Sequence, residues 1–155
     1  MKNTIILLCS CLLSACATTS NLNQAKKSLQ GTWKVNKIYS AYGQRVANGI
    51  STDEEHTETG NLGTFNFGEN QVTYQFTRRD TAYNATSSWI LNRTKVNQGF
   101  TQVEVYLLDL TTYDFVCQFG DQTSDAERNA TKVRLIYETP DVGYYQTFQL
   151  EMEKQ

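Results

Sequence analysis

The side chains able to do chemistry are few and scattered. The only histidine, His56, sits in the run Asp53-Glu54-Glu55-His56-Thr57-Glu58. One imidazole among carboxylates is a donor set for a divalent cation. All of these donors crowd one polar segment, however, and no second cluster elsewhere completes a shell, so a solvated acidic loop is the plainer expectation. Four cysteines occur, Cys9, Cys11, Cys16 and Cys117. No Cys–His pairing, Gly-x-Ser-x-Gly or phosphate-binding glycine loop accompanies them. Asp109, Asp114 and Asp121 can meet across strands as a carboxylate pair, but nothing in their spacing selects them. Arg78-Arg79-Asp80 reads as the polar end of a hairpin. The sequence therefore predicts no enzyme, no metal site and no cofactor.

The elements that would position these residues begin after an unusual N-terminus. Lys2 supplies a short positive region, Ile5 to Leu13 an apolar stretch broken only by Ser10, and Ser14-Ala15 a small-residue pair. That is the three-part layout of a secretory signal. The apolar stretch falls far short of the ~20 residues that span a bilayer. The rest of the 155 residues is sized for one domain, and 12% aromatic content with a single proline suits a packed core rather than a disordered chain. The net charge is −2 with no basic patch, which argues against a nucleic-acid partner.

A polar stretch, Ala17 to Asn21, precedes a brief helix capped by Ser20 or Asn21 and running to Gln30. Leu22, Ala25 and Leu29 share one face of it, and Gly31 stops it. From there the apolar period is two. Trp33 and Val35 alternate, and Ile38 resumes the face after a bulge. Residues 41–62 read as a long polar loop with Gly43, Gly49 and Gly60. Phe65 and Phe67 form the next strand, then a turn at Gly68-Glu69-Asn70, then Val72, Tyr74 and Phe76. A strand ends at Trp89 and Leu91. Another carries Val103, Val105 and Leu107 after an irregular start at 95–100. Tyr113, Phe115, Cys117 and Phe119 alternate, a polar loop spans 120–129, and Val133, Leu135 and Tyr137 follow. Pro140-Asp141-Val142-Gly143 turns the chain into a last strand with Phe148, Leu150 and Met152. About eight short strands without βαβ spacing predict an all-β antiparallel sandwich or up-and-down barrel, and period two alone does not choose between them.

Two short motifs carry resemblances. Leu13-Ser14-Ala15-Cys16 resembles the lipobox of bacterial lipoproteins. That likeness implies cleavage before Cys16, a diacylglyceryl thioether on its sulfur and an acylated amine. Cys9 and Cys11 would leave with the signal, so Cys117 would remain as a lone, buried and inert thiol. Ala17 after the cysteine, where enteric-type bacteria place a retention Asp, favours the outer membrane facing the periplasm. Gly31-Thr32-Trp33, following a short helix, resembles the opening of the lipocalin, or calycin, barrels. The closest likeness is to small lipocalin-like domains of bacterial lipoproteins, with Leu29 to Lys34, the Phe65-to-Asn70 hairpin and Trp89 matched. The resemblance implies an antiparallel up-and-down β-barrel of about eight strands, with Trp33 packed across a closed end and Lys154 over its indole.

The expected organisation is a cleaved signal at 1–15, a lipidated N-terminus and tether at 16–27, and a lipocalin-like barrel at 28–155. Membrane attachment would be through the Cys16 anchor. Phe65, Phe67, Tyr74, Phe76, Trp89, Tyr113, Phe115, Tyr137 and Phe148 would face the barrel interior. There they either line a site for a small hydrophobic ligand or simply fill the core. In the second case the domain is a structural or interaction module, or an enzyme inhibitor, that meets a periplasmic protein.

Overall fold

The computed structural model describes residues 21–46, 49–98, 101–120, 130–139 and 144–155. The expected signal, Cys16, the first part of the tether, most of the 120–129 loop and the Pro140-to-Gly143 turn lie outside the described residues. Residues 21–29 form a helix, α1. Eight strands follow: β1 (Gly31–Val46), β2 (Gly49–Phe67), β3 (Gln71–Arg78), β4 (Thr81–Gln98), β5 (Thr101–Leu110), β6 (Tyr113–Phe119), β7 (Lys132–Glu138) and β8 (Tyr144–Lys154). Each pairs antiparallel with the next, and β8 returns to β1, so the sheet closes on itself as a barrel in sequence order. Closure removes the unpaired edges that an open sheet would expose. Among the described residues no helix is long and apolar enough to cross a membrane.

Alternation fixes which face goes inside. In β3, Val72, Tyr74 and Phe76 are buried while Gln71, Thr73, Gln75 and Thr77 are exposed. The same rule buries Phe115, Cys117 and Phe119 in β6 and Val133 and Leu135 in β7. A bulge at Asn36 puts Ile38 back on the inner face, as the sequence predicts, because the register shifts between Val35 and Lys37. On the partner strand the ladder jumps from Gly63 to Thr59. Gly63 makes that kink feasible. Its φ is +150, and a Cβ there would lie 2.1 Å from the Gln75 carbonyl oxygen and 2.5 Å from the Phe76 Cα.

Three expectations are corrected. Residues 41–62 are not a loop: β1 and β2 continue as a paired ribbon out to Val46 and Gly49. Beyond the buried Ala41 and Gly43 its described residues are mostly polar and exposed, so no alternation marks them in the sequence. Residues 95–98 are not an irregular start to β5 but the end of β4, which runs on past Trp89 and Leu91 to Gln98. The strands are accordingly not all short: β1, β2 and β4 have 16, 19 and 18 residues.

One end of the barrel is sealed by α1. Ala25 and Leu29 are fully buried and Leu22 packs beside them. Trp33 is fully buried against this helix, and its Nε1 donates to the Leu29 carbonyl at 2.6 Å. Lys154, at the end of β8, lies 5.4 Å above the Trp33 ring, and its Nζ donates to the Ser28 carbonyl at 2.8 Å. Gly31, at φ +110, leaves room for this lysine, whose Cε would be 3.3 Å from a Cβ there. The Ser28 hydroxyl in turn accepts from the Ala130 amide at 3.0 Å.

The seal yields a graded prediction. Trp33→Ala should cost roughly 3–5 kcal/mol of stability through the cavity it leaves. Trp33→Phe keeps most of the ring but loses the donor to Leu29, and should cost about 1 kcal/mol for that hydrogen bond plus a smaller packing loss. Urea denaturation of the two variants measures both costs. An alanine variant no less stable than the phenylalanine variant would show that ring volume does not hold this end together.

Candidate functional site

The up-and-down order sends the β1–β2, β3–β4, β5–β6 and β7–β8 connections to the end opposite α1. That end is the barrel mouth. The inner register can be followed into it residue by residue. Ile38 is buried and pairs with buried Leu150 on β8. Two residues on, Ser40 pairs with Phe148 on one side and His56 on the other, and then Tyr42 pairs with Gln146 and Glu54. Cross-strand partners share a face. Ser40, Tyr42, His56, Glu54 and Gln146 therefore stand on the continuation of the inner face. On β3 the inner series Val72, Tyr74, Phe76 reaches Arg78 by the same step of two.

Below the mouth the interior is aromatic. All nine rings expected inside are there: seven are buried, and Tyr113 and Tyr137 are half-buried. They divide into two groups. Phe65 stacks on Tyr74 at 5.1 Å and on Phe76 at 5.8 Å, and Phe67 meets Trp89 edge-on at 5.5 Å. Across the barrel Phe148 meets Tyr137, Tyr113 and Phe115 at 5.0, 5.5 and 5.7 Å. Such ring pairs stabilise beyond their buried area. Burial, with Tyr83, Tyr74 and Tyr137 nearby, raises the Tyr113 hydroxyl above its ordinary range.

Arg78 lies where these rings meet the mouth. Its guanidinium carbon sits 4.4 Å from the Phe148 ring centre and 5.2 Å from that of Tyr83. Nη2 donates to the Tyr83 hydroxyl at 3.1 Å. Nη1 is buried without a hydrogen-bond partner. Among the described residues no ion pair reaches Arg78. The neighbouring Arg79 behaves differently: it turns outward at φ 48, pairs with Glu54, and its amide donates to Glu58 at 3.0 Å. A pocket of about 110 Å³ opens beside Arg78, bordered by Ser40, Tyr42, Glu54, His56, Arg79 and Gln146. Ser40 Oγ is also buried without a partner. At the rim Tyr42 and Tyr144 stack at 6.4 Å and are 42% and 62% exposed.

Arg78-Arg79-Asp80 does close the β3–β4 hairpin, as the sequence predicts, but the Arg78 side chain folds inward over Phe148, a direction the sequence reading missed. Tyr83, stacked 4.9 Å from Phe76, was also missed. The signal for it was present, because steps of two back from Leu91 give Trp89, Ser87, Ala85 and Tyr83. Arg78 was signalled in the same way from Val72. His56 stands on β2 rather than in a loop, and among the described residues no three His, Cys, Asp or Glu side chains could hold a metal ion. Asp109 and Asp114 are indeed cross-strand partners, both exposed on the outer face; Asp121 lies outside the described residues. The larger pockets of about 490 and 360 Å³ are grooves lined mostly by outward-facing side chains, and of the nine aromatics only Phe76 borders either.

Comparison with known protein families, curated proteins and solved structures returned no match.

Cys117 is 2% exposed among core side chains, and burial pushes its thiol far above the usual range. A thiol held neutral and covered is a poor nucleophile. A water-soluble maleimide should leave Cys117 unlabelled in the folded chain from pH 7 to about 9, and label it fully in urea. Peptide mass spectrometry reads the site. Rapid native labelling would mean that the β6–β7 wall opens readily.

Proposed function

We propose that this chain is a lipid-anchored protein of the bacterial cell envelope whose lipocalin-like barrel binds a small, largely apolar ligand through its open end. The anchor rests on Leu13-Ser14-Ala15-Cys16 closing an apolar signal-like stretch. The lipocalin likeness rests on Gly31-Thr32-Trp33, with Lys154 over the Trp33 indole, together with the closed eight-strand order. The observation that carries the binding role is the difference between the two ends. One is sealed by α1 and its hydrogen bonds; the other presents stacked tyrosines and a recess with unsatisfied donors. A barrel serving only as a spacer has no need of buried polar atoms left without partners, which are costly. The site is the mouth, with Tyr42 and Tyr144 at the rim and Tyr113 and Tyr137 as the outermost of the interior rings.

One observation favours the second reading, a packed barrel acting as an interaction module or inhibitor toward a periplasmic protein. The interior rings spend their faces on one another, which leaves little room for a ligand deep inside. Native mass spectrometry of the full chain released from detergent separates the two. A reproducible small-molecule adduct, lost on unfolding, is the expected result. A bare chain mass under all gentle conditions would favour the packed module.

The anchor has its own test. Cells fed a fatty-acid probe should label the wild-type chain, and Cys16→Ser should abolish labelling. Undiminished label on the variant would refute lipidation at Cys16.

A further inference from the structure

We infer that the recess beside Arg78 is a carboxylate-recognition site, and that the ligand of this barrel is a small organic acid with an apolar body. The inference rests on the binding role proposed above and names the chemical class bound.

Three features converge on one anion. Arg78 is a permanent cation, held over Phe148 and Tyr83 and paired with no carboxylate among the described residues. Its Nη1 and the Ser40 hydroxyl are both buried without partners, and the two residues line the same pocket. Two donors toward one recess match the two oxygens of a carboxylate, and a hydrogen bond from a guanidinium to an anion is among the stronger ones. The fold keeps Arg78 from being neutralised internally. Glu54, the carboxylate that lines the recess, is taken by Arg79, and Glu58 by the Arg79 amide. The Tyr83 hydroxyl fixes Nη2, which leaves Nη1 as the free prong. A recess of about 110 Å³ accommodates a head group rather than a whole ligand. The apolar body then lies outward, against Tyr42 and Tyr144.

The alternative for an unpaired arginine is a purely structural cap that stacks on the rings below it. A cap would leave the mouth indifferent to the charge of what binds there, and this difference makes the proposal testable.

The experiment titrates the full chain in non-ionic detergent with octanoate, octan-1-ol, acetate and inorganic phosphate, following amide and arginine side-chain NMR shifts. Octanoate is expected to bind at least tenfold more tightly than octan-1-ol, from one charge-assisted contact. Acetate should shift the same resonances at higher concentration. Arg78→Met, which keeps the stem over Phe148, should lose the preference for octanoate while still binding octan-1-ol. Arg78→Lys should retain part of the preference, and Ser40→Ala should weaken octanoate several-fold. Equal binding of octanoate and octan-1-ol would overturn carboxylate recognition and leave the apolar binding role standing. Phosphate binding more tightly than either carboxylate would overturn the carboxylate assignment. No response to any of the four would overturn the inference and the binding role together. Persistence of the octanoate preference in Arg78→Met would remove Arg78 from the site whatever the fold of the other variants.

Discussion

The last turn of α1 ends in carbonyl groups that no helical amide can reach. Buried without partners, they would cost more than the helix gains by packing. The chain satisfies two of them with side chains from the two strands that must meet to close the sheet. Trp33, on the first strand, donates to Leu29, and Lys154, on the last, donates to Ser28. The lysine also lies over the indole it accompanies, and its positive charge at the helix C-terminus agrees with the macrodipole. Sealing one end and joining β8 to β1 are therefore one event. Gly31 is part of it, since only a residue without a side chain turns sharply from helix to strand there while leaving space for Lys154.

With that end closed, the interior is settled by ring packing. Two aromatic groups fill opposite walls, and Arg78 bridges them, lying over Phe148 of one and over Tyr83, which stacks on Phe76 of the other. A guanidinium is suited to this position because its flat faces stack on rings while its edge still donates hydrogen bonds. The boundary between a dry core and a wet mouth thus runs through one side chain. Above it the β1–β2 ribbon continues with mostly polar residues, Tyr42 and Ile50 being its exposed apolar side chains. The mouth has a tall wall made of β1, β2 and β8 and a shorter one where β5 and β6 turn at residues 111–112.

How much of this was legible follows from what period two can report. Strands β3, β6 and β7 read correctly because every second residue had to be apolar, whereas β5 carries apolar residues on both faces: the sequence points to Val103, Val105 and Leu107, while Tyr106, Leu108 and Leu110 are the buried set. The ribbon at 41–62 did not read as strand, because beyond Ala41 and Gly43 its described residues are mostly exposed, where any polar residue is acceptable and no pattern survives. The end of β4 was hidden for a simpler reason, since Val96 is the one apolar residue in Asn92 to Gln98 and no alternation can form. The inner aromatics were recognised because aromatic side chains signal a core. Arg78 lies at the same register, but in the polar hairpin end Arg78-Arg79-Asp80 its charge gives no sign of an inward direction. At the mouth of a barrel the inner face becomes partly wet, so the register is the better guide. The barrel itself came from Gly31-Thr32-Trp33, since alternation alone left a sandwich equally open.

Attachment of the chain bears on where any ligand comes from. If Cys16 is acylated as proposed, only residues 17–20 separate the lipid from the first described turn of α1. Four or five residues reach no more than about 17 Å even when fully extended. The anchor is thus tied to the sealed end, because α1 is the element that seals it. The mouth lies at the other end of the strands. A domain tethered in this way presents its recess away from the membrane that holds it. With the anchor proposed above, the placement of α1 favours a ligand arriving from the aqueous compartment, and a small acid, charged and soluble, is the kind of molecule that can do so. An apolar lipid drawn from the anchoring leaflet would first have to travel the full length of the barrel.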